Sequence, residues 1–148
     1  MKSVCKGLAA DPQIIDAIII AESAYDPFAI RYEVEYDYVS KAPDYAKINQ
    51  TSVATEIIGQ KISWGLGQVM GGTARGLGYK LQLPMLCDPT VNIELMIEFI
   101  QQLEAKYKTL DDVIASYNAG IPRKLPTGFY RNQQYVDKVH EAMTVYKL

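Results

Sequence analysis

Apolar residues that recur three or four positions apart mark two long amphipathic helices. In one, Asp88 can cap a helix whose first position is Pro89, and apolar residues follow at helical spacing as far as Tyr107. In the second helix, Asp11 is the capping residue and Pro12 the first helical position, and a run of isoleucines follows. This pattern predicts a helix from Pro12 to about Ser23. These segments predict a mainly helical protein.

Caps and stop residues predict four shorter helices. Thr109 opens a capping box in which Asp112 takes the place of the usual glutamate, and Gly120 ends that helix. The other three run from Ser52 to Ile62, from Thr73 to Leu77 before Gly78, and from just after Asn132 through Val136, Val139 and Met143 to Tyr146. With no internal repeat or linker, residues 1–148 are expected to form one compact domain of roughly five to seven helices.

The stretch from Arg31 to about Gln50 lacks a helical period. We expect a long loop or an irregular hairpin there. Apolar and polar residues alternate between Tyr32 and Val39, which is typical of a short strand with one apolar face. The expected architecture is therefore mainly α, with a small irregular or short-stranded insertion.

Composition narrows the classes of partner. The formal net charge is -2, from 15 basic and 17 acidic residues, so no overall positive field is available to bind nucleic acid. The apolar run from Ile18 to Ala21 is far shorter than the roughly 20 residues that span a bilayer. We expect a soluble monomer that inserts into no membrane.

The amino terminus carries charge without the apolar stretch of a secretory signal, so synthesis in the cytoplasm is expected. Under those reducing conditions Cys5 and Cys87 are expected to be buried free thiols. The only histidine, His140, shares a helical face with apolar residues and is expected to be an ordinary packed or half-exposed residue. A single histidine also argues against a Ser-His-Asp triad or a clustered zinc site.

Glu22 is the first candidate for chemistry. It follows Ile15, Ile18 and Ile19 at helical spacing, which places its carboxyl on the apolar side of the first helix. Burial and the negative end of the helix dipole both raise a carboxyl pKa, and a protonated acid is what a general acid requires. The alternative is a salt-bridged or exposed glutamate at a helix end.

A glycine-rich segment, residues 63–73, is the second candidate. Five glycines between positions 65 and 76 indicate a backbone shaped to approach something closely. Gln68 and exposed main-chain groups offer hydrogen bonds for acetamido and hydroxyl groups of a sugar, and Trp64 or Met70 offers an apolar contact. A glycine-rich turn without a ligand is the alternative, and no phosphate-binding loop motif is present.

The third candidate lies where a helix ends in Ser116-Tyr117-Asn118-Ala119-Gly120. The phenol of Tyr117 or the amide of Asn118 could hold a catalytic carboxyl or a sugar. Ordinary helix capping is the alternative reading.

In order and spacing, these segments resemble the catalytic domain of soluble lytic transglycosylases, which are relatives of goose-type lysozyme. Glu22-Ser23 resembles the family's catalytic Glu-Ser, and residues 65–70 resemble its Gly-Leu-Met-Gln-Ile-Met. Residues 116–120 resemble its Ala-Tyr-Asn-Ala-Gly, and Tyr135-Val136 resembles its closing Tyr-Val. The resemblance covers about residues 10 to 146 and implies a lysozyme-like fold.

The resemblance implies cleavage of the bond between N-acetylmuramic acid and N-acetylglucosamine in peptidoglycan, without a metal or organic cofactor and with Glu22 as acid and then base. The substrate's acetamido group would attack the anomeric carbon, and a 1,6-anhydro ring would form. Ser63, Gln68, Met70, Tyr117, Asn118 and Tyr135 would bind the substrate. Gly67 departs from the family pattern, because methionine usually stands there. Ser63 is only a candidate for the acetamido-binding serine, because the chain before it is long.

Two alternatives stay open. A hydrolytic muramidase would position water with a second carboxylate, and Glu33, Glu35 and Asp37 are available for this role. An inactive glycan-binding module would keep the cleft without the chemistry. The Arg31-Tyr32-Glu33 sequence resembles a subgroup of phage and bacterial enzymes, so a phage lysin, a virion component or a wall-remodelling enzyme acting on the bacterial cell wall is expected.

Overall fold

The computed structural model describes residues 11–145, which form seven α-helices, a three-stranded sheet and one 3₁₀ helix. The helices are α1 (Pro12–Ser23), α2 (Ala42–Ile48), α3 (Val53–Gln60), α4 (Gly71–Gly76), α5 (Pro89–Lys106), α6 (Leu110–Ala119) and α7 (Gln133–Thr144). The strands are β1 (Ile30–Tyr32), β2 (Ile62–Trp64) and β3 (Val69–Met70), and the 3₁₀ helix is Leu83–Cys87. The prediction of a mainly α fold with a short-stranded insertion is confirmed.

The predicted caps and stops define several helices closely. The Thr109 side chain accepts a hydrogen bond from the Asp112 backbone N–H at 3.1 Å, and Gly120 ends α6 with a φ of +83°. α1 has the predicted bounds, and α5 ends one residue before the predicted Tyr107. Tyr146, expected on the last helix, lies outside the described residues.

The strand expected from Tyr32 to Val39 is wrong beyond Tyr32, where β1 ends. The chain turns instead, and Tyr36 lies against Gly72, where a Cβ atom would come within 2.5 Å of its hydroxyl. Tyr36 also hydrogen-bonds with the side chain of Thr73, and burial raises the pKa of its phenol. Of the alternating side chains, Tyr36 serves tertiary packing, whereas Val34 and Tyr38 are exposed.

Three other predictions about the helices are corrected. Helix α2 was missed, because it buries only Ala42 and Ala46 and therefore leaves no apolar stripe in the sequence. Helix α4 begins at Gly71, so Thr73 lies inside it and is not its cap. Helix α3 ends before Ile62, which instead begins strand β2.

The described residues divide into two units, and the expectation of a single domain stays a prediction. One unit comprises residues 11–21 and 96–145. Its buried residues come from the apolar faces of its helices and include Ile14, Ile18, Ile100, Ile114, Val136 and Val139. Helices α6 and α7 pack together in this unit.

The second unit comprises residues 22–95 and contains α2, α3, α4 and the antiparallel sheet, in the order β1-β2-β3. Ser63 pairs with Arg31 and Met70, whereas Trp64 pairs with Ile30 and Val69. Paired residues share a face of a sheet and neighbours along a strand alternate, so Ser63 and Trp64 belong to opposite faces. We call these the Ser63 face and the Trp64 face.

Cys87 is a free thiol, as expected, but it is half-buried and not fully buried; its partial burial raises its pKa. Cys5 lies outside the described residues. His140 is partly exposed and lies 2.5 Å from an Asp111 carboxylate oxygen. No helix in residues 11–145 combines the length and apolar character that crossing a membrane requires.

Candidate active site

Glu22 lies half-buried in the last turn of α1, at a helix end that is fixed by a distant contact. The hydroxyl of the next residue, Ser23, donates to the carbonyl oxygen of Leu66 at 2.7 Å. Ala24 and Tyr25 then adopt positive φ angles of 51° and 66°. Such angles are unfavourable for residues with a Cβ and persist only where surrounding contacts impose them. The end of α1 is thus a sharp, defined turn.

The chain after this turn is bound to the glycine-rich segment. The Asp26 side chain accepts a hydrogen bond from the Phe28 backbone N–H at 2.9 Å, which fixes the loop locally. The carbonyl oxygen of Ala29 accepts two more bonds, from the Gly65 backbone N–H at 2.8 Å and from the Gln68 side chain at 2.9 Å. The loop that follows Glu22 and the turn between β2 and β3 therefore form one hydrogen-bonded structure.

Gln68 is the centre of that turn. Its φ is +49°, and its Nε2 group donates to the carbonyl oxygens of Ala29 and Gly65, each at 2.9 Å. Its Oε1 atom accepts a hydrogen bond from the hydroxyl of Ser63 at 2.8 Å, and only 3% of Ser63 is exposed. Both residues hold the turn together. Their expected contacts with a sugar stay predictions.

Two glycines of this segment lie where other parts of the backbone come too close for a Cβ atom. Gly65 has a φ of +68°, and a Cβ atom there would lie 2.7 Å from the carbonyl oxygen of Leu86. A Cβ atom at Gly71 would overlap the backbone oxygen of Gly59. The close approach expected from the sequence is therefore present, and these two partners are backbone atoms of the protein.

Asn92 also shapes this turn and was missed by the sequence analysis. It is fully buried, and its Oδ1 atom accepts a hydrogen bond from the Gly67 backbone N–H at 2.8 Å. Its Nδ2 group donates to the carbonyl oxygens of Trp64 and Leu86, each at 2.8 Å. The available signal was a polar residue three positions before Leu95, on the apolar side of α5.

The remaining candidates of this unit lie on or after the sheet. Met70 is half-buried and belongs to the Ser63 face. The Arg31 Nε–H donates to a carboxylate oxygen of Glu33 at 2.5 Å, so this carboxylate already has a cationic partner. Glu35 and Asp37 are exposed in the segment after β1.

Three candidates lie in the unit formed by residues 11–21 and 96–145. Tyr117 is 8% exposed, and its ring is tilted against Phe99 with ring centroids 5.3 Å apart. Asn118 is exposed, and its Oδ1 atom accepts a hydrogen bond from Asn132 at 3.0 Å. Tyr135 is half-buried in the first turn of α7. The structure thus places an amide pair at the end of α6.

Lys138 is a second residue that the sequence analysis missed. Its Nζ atom donates to the carbonyl oxygen of Ala21 at 2.8 Å. Ala21 lies in the last turn of α1 and directly precedes Glu22 in the chain. A cation at a helix C-terminus satisfies a carbonyl and opposes the negative end of the helix dipole. The charge on Lys138 therefore stabilises the helix end that carries Glu22.

Comparison with protein families gives one result that bears on this arrangement. The family model described as Transglycosylase SLT domain matches residues 5–137, which is most of the chain. Comparison with curated proteins and with solved structures returns no match. In residues 11–145, no group of three or more His, Cys, Asp or Glu side chains is arranged to hold a metal ion. The chain belongs to the Transglycosylase SLT domain family, whose activity is of the lytic transglycosylase type on peptidoglycan.

Proposed function

We propose that this protein is a lytic transglycosylase that cleaves the bond between N-acetylmuramic acid and N-acetylglucosamine, with Glu22 as its acid and base. The observation that carries the proposal is the placement of Glu22 at a helix end held to the glycine-rich turn by Ser23 and Ala29. A proton donor must stay at a fixed position relative to the bond that it cleaves, because small displacements strongly reduce the rate. The hydrogen bonds of Ser23 and Ala29 support such a position for the helix end that carries Glu22.

In the first step, the Glu22 carboxyl gives its proton to the glycosidic oxygen as the bond from that oxygen to the anomeric carbon breaks. The carbonyl oxygen of the substrate's own acetamido group forms the new bond to the anomeric carbon. The departing sugar leaves as a neutral alcohol, and Glu22 is left as a carboxylate. No second enzyme carboxylate is needed for this step.

In the second step, the Glu22 carboxylate takes the proton from the 6-hydroxyl of the same sugar. The 6-oxygen then bonds to the anomeric carbon, and the acetamido oxygen is released. The acid is restored, and the product carries a 1,6-anhydro ring. Intramolecular attack has an entropic advantage over attack by an unbound water molecule.

Hydrolysis would need a carboxylate that activates water on the other side of the sugar. Glu33 is engaged by Arg31 at 2.5 Å, and Glu35 and Asp37 are exposed to solvent. Carboxylates in such surroundings are expected to be ordinary charged groups of the solvated surface. We therefore prefer the transglycosylase to the muramidase.

Substrate contacts are proposed on both units. Residues 63–67 are buried, so half-buried Met70 is the proposed sugar contact of the glycine-rich segment, while Ser63 and Gln68 keep the turn in shape. Tyr117, Asn118 and Tyr135 are also proposed to bind substrate. The proposed partner is the glycan strand of peptidoglycan in the bacterial cell wall, and no cofactor is required.

The test is Glu22→Gln, because the amide has nearly the shape of the acid and has no carboxyl proton to deliver. We expect an unchanged thermal unfolding midpoint and loss of peptidoglycan clearing. The matched control is Glu98→Gln, which changes an exposed glutamate on α5. Clearing by Glu22→Gln at more than a few per cent of the wild-type rate would remove Glu22 from the catalytic role.

A further inference from the structure

A cavity of about 390 Å³ lies within residues 49–84, and none of the residues that line it is proposed for catalysis. Its apolar wall is formed by Ile58, Ile62, Trp64, Leu83 and Pro84. Its uncharged polar lining is formed by Asn49, Gln50, Thr51, Thr55 and Gln82. Apolar walls with a few hydrogen-bonding groups are typical of small-molecule sites, and this volume is within their usual range.

The cavity is on the Trp64 face of the sheet. Ile62 and Trp64 line it, and the residue between them, Ser63, points to the opposite face, where it donates to Gln68. Met70 shares the Ser63 face. The cavity is therefore separated by strand β2 from the sheet residues that we assign to the bond-cleaving site.

A buried ion pair makes the cavity wall rigid. The side chain of Arg75 is 0% exposed, and its Nε and Nη2 atoms donate to the two carboxylate oxygens of Glu56 at 2.7 and 3.0 Å. Its Nη1 atom donates to the carbonyl oxygens of Tyr79 and Leu81 at 2.9 and 2.7 Å. Because every terminal group of Arg75 is engaged, the wall is formed before any ligand arrives.

The same pair determines the charge of a suitable ligand. Of the described residues that line the cavity, only Glu56 and Arg75 carry charge, and each neutralises the other. A charged ligand would lose its hydration without meeting an opposite charge, which is unfavourable. The cavity therefore suits an uncharged ligand with both apolar and hydrogen-bonding parts.

Two exposed side chains extend the apolar wall towards solvent. Tyr32 pairs with Ile62 and Ile30 pairs with Trp64, so all four side chains belong to the Trp64 face. Tyr32 is 52% exposed and Ile30 is 57% exposed. The Tyr32 ring has the Nζ atom of Lys61 6.0 Å from its centroid. Its exposed part offers a flat apolar surface and a polar edge beside the cavity, which suits the face and hydroxyl groups of a sugar.

We propose that this cavity binds an uncharged N-acetylhexosamine unit of a glycan strand, at a site separate from the one that breaks the bond. The acetamido methyl would contact the apolar wall, and its amide and the ring hydroxyls would meet the polar lining, with Tyr32 against the sugar face. The inference rests on the proposed function, because that function makes a glycan the substrate. A second binding site for the glycan strand would keep the enzyme bound to long substrates.

Trp64 provides a direct reporter, because it is the only tryptophan of the chain and lines the cavity. Its indole N–H donates to the carbonyl oxygen of Gly59 at 3.0 Å, so its NMR resonance reports on this wall. The experiment titrates the full-length Glu22→Gln protein with the tetramer of N-acetylglucosamine and follows that resonance. We expect a saturable shift, and none with cellotetraose, which lacks acetamido groups.

The site is then tested with Ile58→Glu, which places a carboxylate at the cavity on a half-exposed position of α3. Desolvation of that charge should weaken tetramer binding by about tenfold or more. Val53→Glu is the control, because it adds the same charge to the same helix outside the cavity lining. Gln82→Ala, at an exposed position, serves as a second cavity variant with little risk to folding.

In the otherwise wild-type enzyme, Ile58→Glu should also slow clearing of intact peptidoglycan while short soluble fragments are cleaved at the normal rate. An unmoved indole resonance, equal shifts with cellotetraose, or equal affinities for Ile58→Glu, Gln82→Ala and Val53→Glu would each overturn the cavity proposal. These binding results are independent of cleavage. Failure of the catalytic proposal would appear instead as activity retained by Glu22→Gln.

Discussion

The Ser23 hydroxyl lies 2.7 Å from the carbonyl oxygen of Leu66 and donates a hydrogen bond to it across 43 residues of sequence. Ser23 ends the helix that carries Glu22, and Leu66 lies in the turn between β2 and β3. One bond therefore couples the position of the proposed acid to the shape of the glycine-rich turn. This coupling leads to the first prediction.

Ser23→Ala should lower the rate of peptidoglycan cleavage more than it lowers stability. The lost hydrogen bond should reduce the free energy of unfolding by about 1 kcal/mol. Displacement of Glu22 should reduce kcat by roughly tenfold or more, because catalysis depends on orientation. Ser23→Thr keeps the hydroxyl and should recover most of the rate. Equal kcat values for Ser23→Ala and the wild type would show that this bond does not position the acid.

Asn92→Leu should be among the most destabilising substitutions in the unit formed by residues 22–95. It removes the partner of the Gly67 N–H and of two carbonyl oxygens, those of Trp64 and Leu86. Buried polar groups without partners should lower the free energy of unfolding by about 3 kcal/mol or more. Urea unfolding followed by Trp64 fluorescence measures this loss. Gln102→Ala, at an exposed position of α5, is the control and should unfold within about 0.5 kcal/mol of the wild type.

Lys138→Met should weaken the end of α1. The substitution keeps a long apolar side chain but removes the ammonium that donates to Ala21 at 2.8 Å. We expect a loss of about 0.3–1 kcal/mol of stability and a larger proportional loss of cleavage rate. Lys138→Arg restores a cation and should rescue both. If Lys138→Met cleaves at the wild-type rate, the bond stabilises the fold without positioning Glu22.

Tyr130 should make the protein sensitive to alkaline pH. Its hydroxyl donates to a carboxylate oxygen of Asp112 at 2.5 Å, and burial together with this bond raises the pKa of Tyr130 to about 12. Because the folded state favours the neutral phenol, the stabilisation is present below pH ~10 and is lost as pH rises towards ~12.

The comparison of Tyr130→Phe with the wild type isolates this effect, because other tyrosines titrate in the same range. Tyr130→Phe should be less stable below pH 10, and its deficit should shrink between pH ~10 and ~12. Tyr38→Phe, at a tyrosine that is 79% exposed, is the control. A constant difference between Tyr130→Phe and the wild type across this range would contradict the assignment.

Local signals in the sequence were sufficient for much of the fold. The cap of Thr109, the stop at Gly120 and the apolar face of α1 each act within a few residues, and each is present in the structure. Helix α2 left no such signal, because its burial rests on two alanines. Tyr36 was misread because its packing partner, Gly72, lies far away in the chain.

The candidate site was predictable in its residues and less so in their roles. Gln68 was identified as a polar group in a glycine-rich turn, but only the structure shows that its amide is engaged with Ala29, Gly65 and Ser63. Asn92 and Lys138 reach backbone carbonyls across the chain, and such contacts have no pattern in a single sequence. Roles that depend on long-range hydrogen bonds therefore required coordinates.

The central claim, transglycosylation through Glu22, is tested most directly by the mass of the products. Purified peptidoglycan is digested in water enriched in heavy oxygen, and the released muropeptides are analysed by mass spectrometry. We predict 1,6-anhydro ends that are one water lighter than hydrolytic products and contain no heavy oxygen, with no products from Glu22→Gln. Alanine at Glu33, Glu35 or Asp37 should leave that mass unchanged. Reducing ends that contain heavy oxygen would contradict the account, because they require water as the nucleophile.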